Sequence, residues 1–375
     1  MGSPRVVVVG AGAIGCSVAL RLAQAGATVT VIERSTPGAE ASSAAAGLLA
    51  PQLEEEGPGA FFDLCVRSRE MYPEFVAEVE RLSGVDVEYR RCGTLRVAFD
   101  QAGAAALEAS AAWQRGLGLR AELLSPAEAF ELEPMLSPKI WRAVHLPDDH
   151  QVENRQLVRA LAIAATRTGA SFRTGSVRRI AIKGDAAIGV ETEGELIGAE
   201  AVVIAAGSWS SLIEGVGTNA EAVKPMRGQM VQLGSPASLL RKTIVGEAGY
   251  LVQRSDGRLL VGSTFELVGF NKQNTAEGLS KILAAGIELC PSIAQLPVVD
   301  FWAGLRPYTN DHWPILGPGP VAGVFLATGH FRNGILLAPI TAQLIAQAVL
   351  ERATAVDLNP FRCGRICAEH APRYK

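Results

Sequence analysis

The 375-residue chain is poor in lysine: seven of its 35 basic side chains are Lys, and 38 acidic ones bring the net charge to −3. So even a balance argues against nucleic acid or an anionic membrane as the main partner. Only 19% of residues are charged while 48% are hydrophobic, which excludes disorder as the dominant state. The 39 glycines and 20 prolines follow no collagen-like period and form no linker tract, and no internal repeat is present. The six cysteines contain no CxxC pair, so free buried thiols in a reducing compartment are expected. Cys363, Cys367 and His370 make a C-x3-C-x2-H group without a fourth ligand, and no metal site is expected there. No apolar run is clean enough to span a membrane. The longest, residues 334–350, is interrupted by Pro339, Gln343 and Gln347.

At about 150 residues per domain the length allows two to three domains and a sizeable core. Arg5, the apolar stretch 6–20 and Ala25 outline a signal peptide, but glycines at three fixed positions favour a strand, a turn and a helix over 13–25. With no targeting sequence left, a cytoplasmic location is expected. Residues 5–33 then read as a βαβ unit. A glycine- and alanine-rich crossing at 36–50 leads to an amphipathic helix over 61–79 that ends in the turn Ser83-Gly84. A strand at 93–99, a helix at 102–115 and a short helix capped by Ser125 with Pro126 follow. Next come a helix over 152–168, a strand at 171–174, and a meander over 177–207 whose last strand is 201–205. Strands at 229–233, 250–254 and 259–263 include a hairpin turned at Ser255-Asp256-Gly257. A helix over 275–289, extended residues 298–306, a strand at 324–327 and a helix over 335–350 complete the chain. This order suggests an α/β nucleotide domain at both ends and in the middle of the chain, with a mostly β domain inserted twice.

Gly10-Ala11-Gly12-Ala13-Ile14-Gly15 is a G-x-G-x-x-G that follows a strand and opens a helix. Gly10 permits the tight turn, Gly12 lets the backbone approach a pyrophosphate, and Gly15 lets helix and sheet pack closely. The helix N-terminus offers unpaired N–H groups to the phosphates. Glu33, 21 residues beyond Gly12, stands where a carboxylate accepts from a ribose hydroxyl pair and disfavours a 2′-phosphate. The motif alone does not separate NAD from FAD.

Three further stretches carry a family likeness. They are residues 41–51 (ASSAAAGLLAP), 301–307 (FWAGLRP) and 329–339 (GHFRNGILLAP). With the fingerprint they resemble the D-amino-acid-oxidase-like flavoenzymes, and among them the glycine oxidases of thiamine biosynthesis, over residues 5–362. The resemblance implies an α/β plus α+β fold: a Rossmann-like FAD-binding domain (1–85, 145–220 and 316–375) with an inserted, mostly antiparallel substrate domain (86–144 and 221–315). It implies that Ala13 and Ile14 line the pyrophosphate turn and that Glu33 and Arg34 meet the adenosine ribose. Ser42, Ser43, Ala46, Gly47 and Leu48 would run beside the ribityl chain and flavin, and the backbone of Val177 would meet adenine. His330, Phe331, Arg332, Asn333, Gly334, Ile335 and Leu336 would hold the isoalloxazine ring. A related branch ties its flavin to a Cys shortly after the position of Arg306. Residues 308–316 contain none, so non-covalent FAD is expected.

The same likeness gives Arg306 and Tyr250 the substrate's carboxylate and leaves Arg332 either on substrate or on flavin alone. Arg306 follows an apolar strand and precedes Pro307, a setting suited to bidentate carboxylate capture; a structural ion pair is the competing reading. Phe265 sits where the family closes its pocket, which suggests a small substrate. The C-terminal motif reads as a strand ending near Thr328, a turn, and a helix from about Gly334 whose positive end faces charge gathered on a reduced flavin. The implied reaction converts glycine, oxygen and water to glyoxylate, ammonia and hydrogen peroxide through an imine that feeds the thiazole of thiamine. Sarcosine or D-amino-acid oxidation, a dehydrogenase passing electrons elsewhere, and a non-catalytic flavin-holding subunit are the alternatives. The resemblance also implies a homotetramer.

Overall fold

The computed structural model describes residues 3–54, 57–217, 222–236 and 239–365. Its first sheet has the strand order Ile315–Pro318, Val324–Thr328, Ala201–Ile204, Arg5–Val9, Thr28–Glu33, Ser171–Thr174. The last five strands are parallel to their neighbours, and Ile315–Pro318 runs antiparallel at one edge. The uninterrupted valine run follows from burial on both faces. Val6 and Val8 enter a core with helices Ala13–Gln24, Ala60–Ser83, Asn154–Arg167 and Ala338–Val349. Val7 and Val9 enter a second core against the meander Arg179–Lys183, Ala186–Glu191 and Leu196–Gly198.

The second sheet has eight strands, in the order Val298–Tyr308, Lys224–Gly234, Arg258–Gly262, Tyr250–Gln253, Thr243–Val245, Thr94–Ala98, Arg142–Leu146, Glu122–Leu124. All its pairings are antiparallel except Thr243–Val245 with Thr94–Ala98, where the two insertions of chain meet. Helix Ala276–Leu289 packs Ile282 and Leu289 into the core beneath it. Helix ends follow local chemistry. Ser125 forms a capping box with Glu128, Thr275 accepts from Gly278 N–H, and Gly84 closes helix Ala60–Ser83 at φ +71°.

Two sequence expectations shift. Arg142–Leu146 belongs wholly to the second sheet, so the border placed between 144 and 145 moves past Leu146. The last helix starts at Ala338, not near Gly334, because Pro339 fits the first turn, where its missing N–H is not needed. Residues 334–337 form a turn in which Leu337 N–H already reaches the Asn333 carbonyl at 2.8 Å. Cys367 and His370 lie outside the described residues. No helix among the described residues is long and apolar enough to cross a membrane.

Candidate functional site

A cavity of about 1280 Å³ runs between the two sheets and takes its lining from both. It exceeds the 300–1,000 Å³ typical of pockets for drug-sized ligands. At one end lies the glycine turn. Gly10 adopts φ +100°, and a Cβ on it would sit 2.6 Å from the Ala205 carbonyl oxygen. A Cβ on Gly15 would sit 1.9 Å from the Gly10 carbonyl oxygen, so this glycine is what lets the helix close on the strand. Gly10, Gly12, Ala13 and Ile14 line the cavity, whereas Gly15 lies behind them. The Glu33 carboxylate accepts from Ala11 N–H at 2.8 Å and Ser35 N–H at 3.1 Å. A carboxylate has about four acceptor sites, so two remain for a diol. Arg34 stacks its guanidinium 3.6 Å from the Trp209 ring centre and pairs with Glu40. Val177 joins the lining beside them.

The wall that follows is the segment 41–48. Ser42 accepts from Ala13 N–H at 3.0 Å, tying this wall to the first turn of the helix. Ser42, Ala46, Gly47 and Leu48 face the cavity; Ser43 does not. Both serines belong to the short helix Ala41–Ala44, where successive side chains diverge by about 100°. Ser43 accordingly turns away, and its carbonyl accepts from Arg155 Nε at 3.2 Å.

His330, Phe331, Arg332, Asn333, Gly334 and Ile335 form a corner on the cavity. Leu336 is instead fully buried in the helical core, and its carbonyl accepts from Ser68 at 2.6 Å. The corner turns because Phe331 takes φ +48°, with its N–H on the Pro307 carbonyl. His330 is buried and shares a 3.0 Å hydrogen bond with Thr341; burial pulls its pKa down to about 3, so the ring is neutral near pH 7. Glu54, which the sequence reading missed, accepts from Arg332 at 3.0 Å and from Asn333 Nδ2 at 2.8 Å. Its position just after the 41–51 stretch was the available signal, but nothing local tied it to residues 332 and 333.

At the far end, Arg306 and Tyr250 come together in the cavity lining with Phe265 and Arg332. Arg306 donates to the Thr264 carbonyl at 3.0 Å and to Ser263 Oγ at 2.7 Å, and its guanidinium lies 4.6 Å from the Phe265 ring centre. Gly228 on the neighbouring strand leaves the room: a Cβ there would lie 2.3 Å from the guanidinium nitrogens. Tyr250 opens a strand in the interior of the sheet, not at its edge, and donates to Met230 Sδ at 3.2 Å. Arg332 lies 6.0 Å from the same Phe265 ring. The arrangement couples a glycine-built end at a helix N-terminus to a cationic, aromatic end across one continuous space. It suits an extended dinucleotide whose far ring meets a small carboxylate-bearing molecule.

A family model described as FAD dependent oxidoreductase matches residues 5–348. The chain is 35% identical to a glycine oxidase of Geobacillus kaustophilus over 364 residues, covering 96% of each. It is 36% identical over 374 residues to the bifunctional protein ThiO/ThiG of Trichormus variabilis. That alignment covers 96% of this chain, which spans about half (55%) of the longer relative. A crystal structure of glycine oxidase from Geobacillus kaustophilus superposes with a TM-score of 0.93 at 35% identity, over 97% of this chain and all of that one.

Proposed function

The chain belongs to the FAD dependent oxidoreductase family, and from that membership we propose that it oxidises glycine to the imine, which water hydrolyses to glyoxylate and ammonia, with oxygen reduced to hydrogen peroxide. Small amines such as sarcosine would follow the same course, sarcosine releasing methylamine in place of ammonia. The imine would serve thiazole formation in thiamine synthesis. The observation that carries this reading is the placement of Arg306, Tyr250 and Phe265 in the same cavity as the glycine turn. The residues present fit FAD. The Gly10–Gly15 turn is open to the cavity where a phosphate needs close backbone approach, Glu33 retains acceptor capacity, and the space suits a long cofactor. Residues 308–316 hold no Cys, which supports a non-covalent attachment.

When bound, FAD supplies the two-electron acceptor for the amine's C–H bond. The protein's own share is binding and orientation. The bonds of Arg306 to Thr264 and Ser263 fix the plane of its fork, and Phe265 shields one side from water, so a carboxylate meets a pre-set, partly desolvated donor. Tyr250 spends its hydroxyl on a thioether, a weak acceptor, and gains by exchanging it for a carboxylate oxygen. Held at both points, an α-amino acid would sit beside the 330–335 corner, whose Phe331 and Arg332 also lie near the Phe265 ring. No side chain has to remove a carbon-bound proton, in keeping with a neutral His330 locked on Thr341.

Anaerobic addition of glycine to the yellow protein tests the reading. Bleaching of the visible flavin band, reversed by air with peroxide formed, is the expected result. Bleaching by sarcosine or D-alanine but not by glycine overturns the substrate. A yellow protein that no small amine reduces overturns the activity.

A further inference from the structure

Among the described residues Arg254 is the largest side chain with almost no exposure, 1%. It sits at the start of the turn between strands Tyr250–Gln253 and Arg258–Gly262 of the second sheet, yet its guanidinium reaches into the wall of the other half. Nη1 donates to the Val152 carbonyl at 2.8 Å and to Gln151 Oε1 at 3.0 Å. Nη2 donates to the Ala46 carbonyl at 2.8 Å and to Asn154 Oδ1 at 3.1 Å. All four partners are neutral oxygens. Glu153 and Glu88 act on the charge only through space, Glu153 being paired with Arg258 and Glu88 bonded to Ser255. Burial pulls the guanidinium down to about 10, which still leaves it charged at neutral pH.

The carbonyl that Arg254 holds belongs to Ala46, and Ala46, Gly47 and Leu48 face the cavity. Gly47 sits at φ +70°, where a Cβ would lie 3.1 Å from Nη2 and 2.1 Å from the Val152 oxygen. Asn154, one of the four partners, passes the link on: its Nδ2 donates to the Ser42 carbonyl at 2.7 Å, and Ser42 Oγ takes Ala13 N–H. A buried cation without an ionic partner is costly to keep. A negatively charged group arriving on the other side of the wall relieves that cost.

We propose that Arg254 is a positioning residue of the cofactor site: it fixes the 46–48 wall and places a positive charge with no direct ion pair one peptide layer behind it, favouring a dinucleotide and the negative charge its flavin gains on reduction. The inference rests on the cofactor placement proposed above. Two readouts separate it from a purely structural role: the Kd of apoprotein for FAD, followed by fluorescence quenching, and the midpoint potential of the bound flavin. Arg254→Met is expected to raise the Kd by about 10–100-fold, as loss of charged hydrogen bonds implies. It is also expected to lower the potential by about 30 mV, a tenfold change in a two-electron equilibrium. Arg254→Lys keeps the charge and loses the fork, so its potential should stay near that of the unaltered protein while its Kd rises. A folded Arg254→Met protein with unaltered Kd and potential overturns the proposal, even if its melting temperature falls. If that variant does not fold, Asn154→Ala decides, because it cuts the link to Ser42: an unaltered Kd overturns the proposal. Gly12→Val serves as the control on the placement. If it alone loses FAD, the placement stands and the role of Arg254 falls; if it keeps FAD, the placement itself falls.

Discussion

The two ends of the cavity are built by different means. The glycine-turn end is shaped by the backbone of residues 10–15, where a Cβ on Gly10 or Gly15 would meet a carbonyl oxygen within 2.6 Å. The Arg306 end is made of side chains from separate segments: Tyr250 and Phe265 from one stretch, Arg306 from an edge strand, and Arg332 from the C-terminal corner. A backbone site has no intermediate settings, since one added carbon either fits or displaces the chain. A side-chain site can be altered by degrees. The glycine-turn end is therefore the fixed half of the cavity, and under the proposed function substrate preference would be set at the half that can be tuned.

The sharpest break of this contrast is Gly15→Val, which puts carbon where the Gly10 carbonyl stands and should give protein without FAD and with a lowered melting temperature. Absorbance at the flavin band after purification checks it, and a fully yellow variant refutes the backbone account. Next is Arg306→Ala, expected to raise the KM for glycine by at least ~100-fold through loss of a desolvated charge pair, with FAD retained. Steady-state kinetics showing an unchanged KM would remove Arg306 from the carboxylate. Glu54→Gln keeps an acceptor for Asn333 but drops the charge facing Arg332. A change of only about 2–5-fold in kcat/KM, with no loss of FAD, is expected for so partly exposed a pair. A larger loss, with released FAD, would move Glu54 to the fixed half.

A further effect lies outside the cavity's function, in stability against acid. His330 is buried neutral, so its pKa falls from an ordinary 6.5 to about 3 on folding. The unfolded chain then binds more protons between those values, and folding stability is lost as pH falls through that window, by at most about 1.4 kcal/mol per pH unit. Urea melts at pH 7.5, 6 and 5 should show the decline, and His330→Gln should flatten it. An identical decline in that variant assigns the effect to other groups.

Legibility in the sequence divides along the same line. The βαβ unit and its glycines are local patterns, and their strand and helix bounds emerge within a residue or two. The 329–339 motif places a turn correctly but starts its helix three to four residues early, because the turn continues through 334–337 before Pro339 starts the regular ladder. Strands Arg142–Leu146 and Thr243–Val245 leave no readable punctuation; they exist because Thr94–Ala98 lies between them and pairs with both. Glu54 and Arg254 are equally silent, since what defines each is a partner far away in the chain. Ser43 and Leu336 show the converse. A motif names neighbours together, but helical geometry and core packing send adjacent side chains to different places.

The valine run Val6–Val9 offers the same side chain to both faces of its sheet, one face to helices and one to the meander. Hydrophobic pattern therefore cannot align this strand with its neighbours, since a slip by one residue exchanges valine for valine. What distinguishes the native alignment is its end. Only at Gly10 can the chain take φ +100° against the Ala205 carbonyl while its N–H meets Ile32 at 2.8 Å. The residue that opens the backbone to the cavity is thus also the index mark of the sheet. A mutation there would be felt first as misregistered strands during folding and only afterwards as an empty binding site.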